Sequence, residues 1–373
     1  MILILAIALG ASFAFYLWFL WTVWRGLGHL SKPAVASPLF VSVIIAARNE
    51  DSTIERCLES LLDQDYPPDA YEIIVVDDHS TDTTFDIVTS MTNARPTGKI
   101  SAISLRGGTA SGKPQAISRG IQNARGEIIL CTDADCVAPR QWIRSMMRCF
   151  EPSVSFVAGP VLEFPSTTIV SQLQSLEFLG LITTAAGLIG SGKPIICNGA
   201  SIAYRKSAFL HVSGYGGQDS SCDDETLMQR IVTRNIGRVV FNGDPEATVV
   251  TSSPNSFREF WHQRTRWAAK RGRYENAMIL FRLVLLYSFF AIALLSAVFA
   301  LSEPALWTLI VPVFLLKTVG DLLVLQRGAK MLRQRISLLY FLIAELFHVP
   351  YIALAGLISQ FASIRWKGRT LEK

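Results

Sequence analysis

The fold is decided by residues 72–82, which read Glu-Ile-Ile-Val-Val-Asp-Asp-His-Ser-Thr-Asp. The apolar run Glu72–Val76 is short and rich in β-branched residues, which is typical of a strand buried on both faces. It ends at Asp77 and Asp78, and the polar residues that follow predict the start of a helix. A buried strand that leads through acidic residues into a helix indicates one unit of a parallel α/β sheet.

The same pattern recurs on both sides of this stretch. Phe40–Ala47 is followed by Arg48-Asn49-Glu50, Glu127–Cys131 leads into Thr132-Asp133-Ala134-Asp135, and Lys99–Leu105 is a further candidate strand. Since strands alternate with helical segments, we predict an α/β domain with a Rossmann-like, mostly parallel sheet over residues 38–273. Ligands of such sheets bind at the carboxyl ends of the strands, which is where these polar residues fall.

The composition indicates a membrane protein. Half of the 373 residues are hydrophobic and 17% are charged, which is too apolar for a wholly soluble chain. The excess of 35 lysines and arginines over 30 aspartates and glutamates favours an anionic partner or a membrane surface. Six cysteines without paired C-x-x-C spacing indicate neither a disulfide scaffold nor zinc, and free thiols are expected.

Residues 1–25 are predicted to form an N-terminal transmembrane anchor. Met1–Trp24 contains no charged side chain and is long enough to cross a bilayer. Trp18, Trp21 and Trp24 form an aromatic belt at its end. A cleaved signal peptide is the alternative, but its apolar core would be shorter.

Further membrane segments are predicted within residues 279–362. The apolar stretches are Leu283–Leu301, Ala305–Leu325 and Ser337–Gln360. The basic loop of residues 327–335 and the basic residues after the anchor are both placed in the cytoplasm by the positive-inside rule. We therefore expect a multi-pass protein of the cytoplasmic (inner) membrane, with its middle domain on the cytoplasmic side.

The same rule does not decide on which side of the membrane the basic tail, residues 363–373, lies. A full crossing by Ser337–Gln360 would put the tail outside, whereas a re-entrant segment broken at Pro350 would keep it inside. The re-entrant arrangement is slightly favoured.

Asp321, Glu345 and His348 fall within the apolar stretches. Ionisable groups inside a membrane are functional candidates by default. For Asp321 a structural role is favoured, because Lys317 lies four residues before it and can pair with it on one helix face.

Asp133 and Asp135 place two carboxylates at one strand end. Hard oxygen ligands of this kind suit Mg²⁺ or Mn²⁺, although many turns carry the same D-x-D pattern without a metal. A phosphatase of the haloacid type also uses D-x-D, but it needs Thr or Ser where this chain has Val137.

Gly107–Pro114 nearly matches the phosphate loop Gly-x-x-x-x-Gly-Lys-Ser/Thr. Pro114 offers neither a hydroxyl nor an N–H at the last position, which argues against an ATPase. Lys113 can still contact a diphosphate as a point charge, and a solvated loop is the alternative.

Two helical segments carry the remaining candidates. Asp223 and Asp224 precede an apolar-periodic helix, so they either cap that helix or supply a general base. Gln263-Arg264-Thr265-Arg266-Trp267 lies in a basic, aromatic segment, residues 256–273, that predicts an interfacial helix. Arginines there could also stabilise a departing diphosphate. A second interfacial helix is predicted near residues 173–189.

Taken in order, these motifs resemble the membrane-bound family 2 glycosyltransferases, which include cellulose, hyaluronan and ceramide-glucoside synthases. The resemblance covers about residues 1–370. The matching segments are Val43-Ile44-Ile45-Ala46-Ala47-Arg48-Asn49-Glu50, Val75-Val76-Asp77-Asp78-His79-Ser80-Thr81-Asp82, Gly112-Lys113, Thr132-Asp133-Ala134-Asp135, Cys197-Asn198-Gly199-Ala200, Asp223-Asp224, Gln263-Arg264-Thr265-Arg266-Trp267 and Trp366-Lys367-Gly368-Arg369. The resemblance implies a GT-A fold and an inverting, single-displacement transfer from a nucleoside-diphosphate sugar, usually a UDP-sugar.

The resemblance also implies roles for individual residues. In binding the nucleotide sugar, Asp78 would contact the base, and Ala47, Asn49 and Glu50 would line the pocket for it. Lys113 would lie near the nucleotide, and Asp133 near the ribose and diphosphate. Asp135 would bind Mg²⁺ or Mn²⁺, and Asp224 would be the general base on the acceptor hydroxyl. Gln263, Arg266 and Trp267 would hold the diphosphate and the acceptor. The family often has Thr-Glu-Asp where this chain has Cys222-Asp223-Asp224, which leaves Asp223 as a second candidate for the base.

The acceptor is left open by the resemblance. About four predicted spans are fewer than processive synthases tend to carry, which favours a membrane lipid such as a hydroxylated carotenoid, a ceramide, a diacylglycerol or a polyprenyl carrier. A processive polysaccharide synthase is the alternative, and a non-catalytic membrane scaffold is a third hypothesis. The expected partners are a nucleotide sugar, the lipid acceptor and the bilayer, with no nucleic acid; the sequence does not indicate a protein partner.

Overall fold

The computed structural model describes residues 2–30, 39–94, 99–108, 111–164, 168–215, 223–254, 256–268, 276–359, 364–366 and 369–371. The strands are β1 Val41–Ala47, β2 Tyr71–Asp77, β3 Ile100–Ser104, β4 Ile128–Asp133, β5 Val154–Ala158, β6 Val161–Glu163, β7 Ile202–Arg205, β8 Arg238–Phe241, β9 Val249–Thr251, β10 Ile364–Trp366 and β11 Arg369–Leu371. The helices are α1 Ile2–Gly26, α2 Ile54–Leu62, α3 Thr84–Asn93, α4 Lys113–Asn123, α5 Trp142–Met147, α6 Ile169–Gly190, α7 Lys206–His211, α8 Asp223–Thr233, α9 Phe257–Ala268, α10 Ala277–Phe299, α11 Trp307–Met331 and α12 Leu338–Ser359. Cys222 and the basic residues Lys270, Arg271 and Arg273 lie outside the described residues.

The central sheet has the strand order β3-β2-β1-β4-β7-β5-β8. The first four strands are parallel, as the sequence predicts, and β7 runs antiparallel to both of its neighbours. Strands β1 and β2 are almost wholly buried, which explains why they read as continuous apolar runs rather than as alternating patterns. A short parallel pair, β6 and β9, lies beside the main sheet.

Helix α4 packs on the centre of this sheet. A Cβ atom at Gly120 would lie 2.6 Å from Cγ2 of Ile44 on β1, so the glycine permits the close approach of the helix to the strand. This packing places Lys113, the first residue of α4, above the carboxyl edge of the sheet.

Among the described residues, five helices are long and apolar enough to cross a membrane: α1, α6, α10, α11 and α12. Four of them correspond to the membrane segments predicted from the sequence. The fifth, α6, covers the segment 173–189 for which an interfacial position was expected, and more of it is buried inside the protein than of the other four. The long apolar helices indicate a membrane protein.

Small residues let α1 and α6 cross closely. A Cβ atom at Gly26 would lie 1.8 Å from the carbonyl oxygen of Gly187, and one at Gly190 would lie 2.2 Å from the carbonyl oxygen of Gly26. Close backbone approach at small residues is a common way for apolar helices to associate in lipid. This crossing attaches α6, and through it the sheet domain, to the N-terminal helix.

A polar cluster joins three of the long helices. The fully buried Lys317 Nζ lies 2.7 Å from carboxylate oxygens of both Asp321 and Glu345, and 3.0 Å from His348 Nδ1. Tyr16 on α1 donates its hydroxyl to Asp321 at 2.6 Å. The predicted pair between Lys317 and Asp321 is confirmed, and the fold adds Glu345, His348 and Tyr16 to it.

Candidate active site

The carboxyl ends of three parallel strands bring the predicted donor residues to one edge. In the sheet register Ala47 on β1 lies beside Asp77 on β2, and Ala46 lies beside Asp133 on β4. The backbone N–H of Asp78 donates to the carbonyl oxygen of Ala47 at 2.8 Å. Residues that are far apart in sequence therefore meet, because parallel strands end at the same edge.

Asp78 is 3% exposed and organises the start of α4. Its carboxylate accepts the backbone N–H of Gly112 at 3.0 Å and lies 3.0 Å from His79 Nδ1. Gly112 has a φ of 102°, a conformation that glycine adopts without strain. The glycine turn before Lys113 is thus held by the carboxylate of the residue that follows β2, rather than being a free, solvated loop.

Asn49 and Glu50 are fixed against the loop that follows β2. Asn49 Oδ1 accepts the N–H of Thr81 at 2.8 Å, and the N–H of Asn49 donates to Ser80 Oγ at 3.0 Å. The N–H of Glu50 donates to Thr84 Oγ1 at 2.8 Å. These bonds build one rigid wall beside Asp78, at the position where the sequence predicts the pocket for the base.

Lys113 lies between two predicted catalytic-site carboxylates. Its Nζ is 2.6 Å from Asp133 Oδ1 and 3.7 Å from Asp224 Oδ2. A lysine at this position offers one positive charge to whatever anion occupies the edge of the sheet. The structure thereby brings together Lys113, Asp133 and Asp224, which come from three separate elements.

Asp224 lies in the first turn of α8, and its carboxylate lies against the backbone at Gly199. A Cβ atom at Gly199 would be 1.7 Å from Asp224 Oδ2. Only a residue without a side chain leaves room for the carboxylate there, which is a function for Gly199 that its sequence context does not reveal. The side chain of Asp223, the other candidate base, lies outside what the structure describes.

Asp133 and Asp135 supply carboxylate oxygens of the kind that bind a hard cation. Their carboxylate oxygens and Cys136 Sγ all lie within 4.8 Å of one another, and Thr251 donates to Asp135 Oδ2 at 3.3 Å. Burial raises the pKa of the Cys136 thiol well above its ordinary value, so the thiol stays protonated and is a poor ligand. The two carboxylates are the part of this set that fits Mg²⁺ or Mn²⁺.

Gln263, Arg266 and Trp267 share one face of α9, because residues three and four apart are neighbours on a helix. Arg266 and Trp267 are half-buried, and Trp267 packs 6.2 Å from the ring of Phe178 on α6. Helix α9 packs against α12 and meets α6 through this ring contact. The structure therefore places this motif at the junction between the sheet domain and the long apolar helices.

A buried network of hydrogen bonds around Arg264, in the same helix as this motif, was not predicted from the sequence. Arg264 is 4% exposed and pairs with Glu177 on α6, and Tyr351 on α12 also donates to Glu177. One signal was available: Glu177 is the single acidic residue in the apolar sequence of α6, and an isolated charge in such a helix calls for a partner.

Glu163 is the last residue of β6, and the charges of Arg264 and Glu177 act on it. It stands opposite Thr251 in the β6–β9 pair and accepts from Ser175 of α6 at 3.3 Å. Burial raises the pKa of Glu163 to about 7, with the charge of Arg264 acting in the opposite direction. This carboxyl group therefore changes its protonation state near neutral pH.

Two family models match the chain. Glycosyl transferase family 2 matches residues 42–212, and Glycosyl transferase family group 2 matches residues 128–319, slightly more than half of the chain.

Curated relatives match at low identity. The beta-monoglucosyldiacylglycerol synthase of Synechocystis sp. is 26% identical over 283 residues, which cover 68% of this chain and 56% of the synthase. The poly-beta-1,6-N-acetyl-D-glucosamine synthase of Staphylococcus epidermidis is 27% identical over 235 residues, which cover 61% of this chain and 53% of that protein. The chain thus spans about half the length of the curated relatives it matches.

Among solved structures, a mannosyltransferase from Pyrobaculum calidifontis in complex with GDP-Man and Mn²⁺ has a similar fold. Its TM-score is 0.62 at 20% sequence identity, and the match covers 97% of this chain and 99% of that chain. The likeness extends over the sheet domain and the long helices alike.

Proposed function

The chain belongs to glycosyl transferase family group 2, and from this premise we propose that it transfers a sugar from a nucleoside-diphosphate sugar to a hydroxyl group of a membrane lipid. Its family and its GT-A fold make it a transferase enzyme.

The proposal of a lipid acceptor is supported by the short segment of residues 195–199, which connects the predicted base with the membrane helices. Ile195 is buried in the apolar cluster formed by the long helices, and its carbonyl oxygen accepts from Gln229 of α8 at 2.9 Å. Four residues later, Gly199 lies against Asp224. Because the base is tied so closely to the apolar helices, a hydroxyl group carried by a lipid can reach it from the bilayer.

In the proposed reaction the acceptor oxygen attacks the anomeric carbon of the sugar, and the bond to the diphosphate breaks on the opposite face. Asp224 takes the proton from the acceptor hydroxyl. Lys113 places its ammonium group beside the leaving diphosphate. A single direct displacement of this kind inverts the anomeric configuration.

The remaining predicted residues bind the donor. Asp78 contacts the base in the pocket lined by Ala47, Asn49 and Glu50, and Asp133 lies near the ribose and diphosphate. Asp133 and Asp135 would hold Mg²⁺ or Mn²⁺, which neutralises charge on a departing diphosphate when it is bound. Gln263, Arg266 and Trp267 hold the diphosphate and the acceptor.

The similarity to a monoglucosyldiacylglycerol synthase supports a glycerolipid such as diacylglycerol as the acceptor, and UDP-glucose as the first donor to test. The domain arrangement in this proposal is an anchor in residues 1–25, a catalytic domain in residues 38–273, membrane or re-entrant helices in residues 279–362 and a basic tail in residues 363–373. The catalytic domain faces the cytoplasm, where nucleotide sugars are made.

A processive polysaccharide synthase is the second candidate function. It is favoured by the similarity to a poly-beta-1,6-N-acetyl-D-glucosamine synthase, which is of the same order as that to the lipid glucosyltransferase. Such an enzyme would use the same donor site but extend a polymer.

Membranes that contain the full chain would be incubated with Mg²⁺ or Mn²⁺, total host lipid and radiolabelled UDP-glucose or UDP-N-acetylglucosamine. We expect label in the organic-soluble fraction, lost in Asp224→Asn and kept in Asp86→Asn, a matched change at an exposed position of α3. Label in the ethanol-insoluble fraction would instead identify a processive synthase. No label in either fraction with several nucleotide sugars would contradict the proposal and favour the scaffold hypothesis.

A further inference from the structure

Arg264 carries a positive charge into the interior of the protein. Its side chain is 3% exposed, and its Nε donates to Glu177 Oε2 at 2.8 Å while its Nη2 donates to the same carboxylate. A guanidinium group that is removed from water needs a paired anion with good geometry. Glu177 supplies this anion in the two-pronged arrangement that suits a planar guanidinium group.

Glu177 also connects a third helix. Tyr351 on α12 donates its hydroxyl to Glu177 Oε1 at 3.3 Å, and its ring stacks 5.8 Å from the ring of Phe260 on α9. A single carboxylate on α6 therefore fixes both α9 and α12. These contacts tie α9 to α6 and to α12 at one point.

On its other side, Arg264 contacts the motif face of α9. Its Nη1 donates to Gln263 Oε1, and its guanidinium carbon lies 4.3 Å from the ring centroid of Trp267. Arg264 thus touches two of the three residues that share this face. The stacking on an aromatic ring and the fork of donors are both properties of arginine that lysine lacks.

We propose that Arg264, with Glu177 as its counter-charge, is a positioning residue for sugar transfer that holds Gln263 and Trp267 in their reactive orientation. The inference rests on the proposed function, because it concerns the residues that would meet the diphosphate and the acceptor. It adds a specific role for a side chain that is buried against Glu177. The proposed pocket for the base lies in the loops after β1 and β2 rather than on α9.

The test uses purified full-length protein in lipid nanodiscs and compares Arg264→Lys, Arg264→Gln and the double variant Arg264→Gln/Glu177→Gln with the wild type. Arg258→Lys is the matched control, since Arg258 is an exposed arginine of the same helix. Four quantities are measured: kcat and the donor KM for transfer, the Kd of UDP, and the melting temperature. UDP binding needs no acceptor and is independent of turnover.

We expect kcat to fall about 10- to 100-fold in each Arg264 variant, the magnitude that a small misplacement of reacting groups produces. The Kd of UDP and the donor KM should change less than kcat does, because the pocket for the base is built from the loops after β1 and β2, whereas the chemical step needs Gln263 and Trp267 in place. In Arg264→Gln the unpaired Glu177 should also lower the melting temperature. The double variant should recover that stability but not kcat.

A kcat that follows the melting temperature through all three variants, and returns in the double variant, would show that the pair only stabilises the fold. Unchanged kcat in Arg264→Gln would also refute the positioning role. If the wild type itself neither binds UDP nor transfers sugar from any tested donor, the proposed function fails, and the inference fails with it. The first two outcomes leave the proposed function intact.

Discussion

At the scale of single residues, the site depends on contacts that tolerate no extra atoms. Gly199 is an example, because the carboxylate of Asp224 occupies the space where a β-carbon would be. Asp78 is another, because it accepts the backbone N–H of the turn that orients Lys113. In both cases a carboxylate lies directly against the backbone of another segment.

Gly199→Ala should therefore abolish most of the transfer activity without unfolding the protein. The new methyl group would lie 1.7 Å from Asp224 Oδ2, so the carboxylate must move, and a displacement of this size costs about 100-fold in rate. Gly10→Ala on α1 is the control, because a Cβ atom there meets nothing within 4 Å. Wild-type activity in Gly199→Ala would show that the position of Asp224 is not critical.

The raised pKa of Glu163 is expected to make the stability of the protein depend on pH. Burial raises its pKa from the ordinary value of 4.5 to about 7. Between these two values the folded protein holds a proton that the unfolded chain has lost, so the free energy of unfolding falls as the pH rises through this window. Above about pH 7 the loss is complete.

Glu163→Gln removes this titration, because a neutral amide replaces the carboxyl group. The difference in melting temperature between Glu163→Gln and the wild type should shift in favour of the variant between about pH 5 and pH 8. Glu59→Gln, at an exposed position of α2, should show a constant difference. A constant difference for Glu163→Gln as well would mean that the pKa of Glu163 is not raised.

At the scale of helices, the polar cluster around Lys317 is built from three chain segments. The ammonium group of Lys317 lies at hydrogen-bond distance from Asp321 on its own helix and from Glu345 on α12, and Tyr16 binds Asp321 from α1. Because the cation lies between two anions, α11 and α12 cannot slide past each other without separating charges, and α1 cannot slide without breaking the hydrogen bond of Tyr16. The cluster therefore sets the relative depth of α1, α11 and α12.

Lys317→Met should destabilise the protein strongly, by about 3 to 5 kcal/mol, because it leaves two carboxylates in an apolar interior without their shared cation. The loss would be measured as a lower unfolding midpoint in detergent. Lys330→Met, at an exposed position of the same helix, should be nearly neutral. Equal midpoints for the two variants would show that the cluster does not hold the helices.

At the scale of the whole molecule, the tail and α9 lie close together. The β10–β11 hairpin forms from residues 364–366 and 369–371, and β10 lies against α9. Helix α12 also contacts both α6 and α9. Arg264 of α9 pairs with Glu177 of α6, and α6 packs against β6 and β8. We therefore expect the tail on the same side of the membrane as the sheet domain, which the basic residues of the tail also favour.

An epitope tag fused after residue 373 would test this expectation in inverted and in sealed right-side-out vesicles. We expect protease or antibody to reach the tag only in the vesicle population in which the sheet domain is also accessible. A second tag between α10 and α11, after residue 302, should show the opposite accessibility. Opposite sides for the tail and the sheet domain would establish α12 as a full crossing.

The amino-acid sequence by itself determined the four parallel strands, the acidic residues at their ends, the long apolar helices and the pair between Lys317 and Asp321. All of these depend on patterns within a few neighbouring residues, such as β-branched runs, hydrophobic length and the spacing of four residues on a helix. The motif order along the chain likewise indicated the family. These features are local, so they can be read without knowing how the chain packs.

Only the tertiary structure decided which of these residues touch. The bond from Arg264 to Glu177 joins residues 87 positions apart, and the bond from Tyr351 to Glu177 joins residues 174 positions apart. Lys113 meets Asp133 and Asp224, and Gly199 makes room for Asp224, through the meeting of separate strands and helices. No local pattern encodes such pairs, because they arise from the order of strands in the sheet and the crossing of helices, which packing of the entire chain determines.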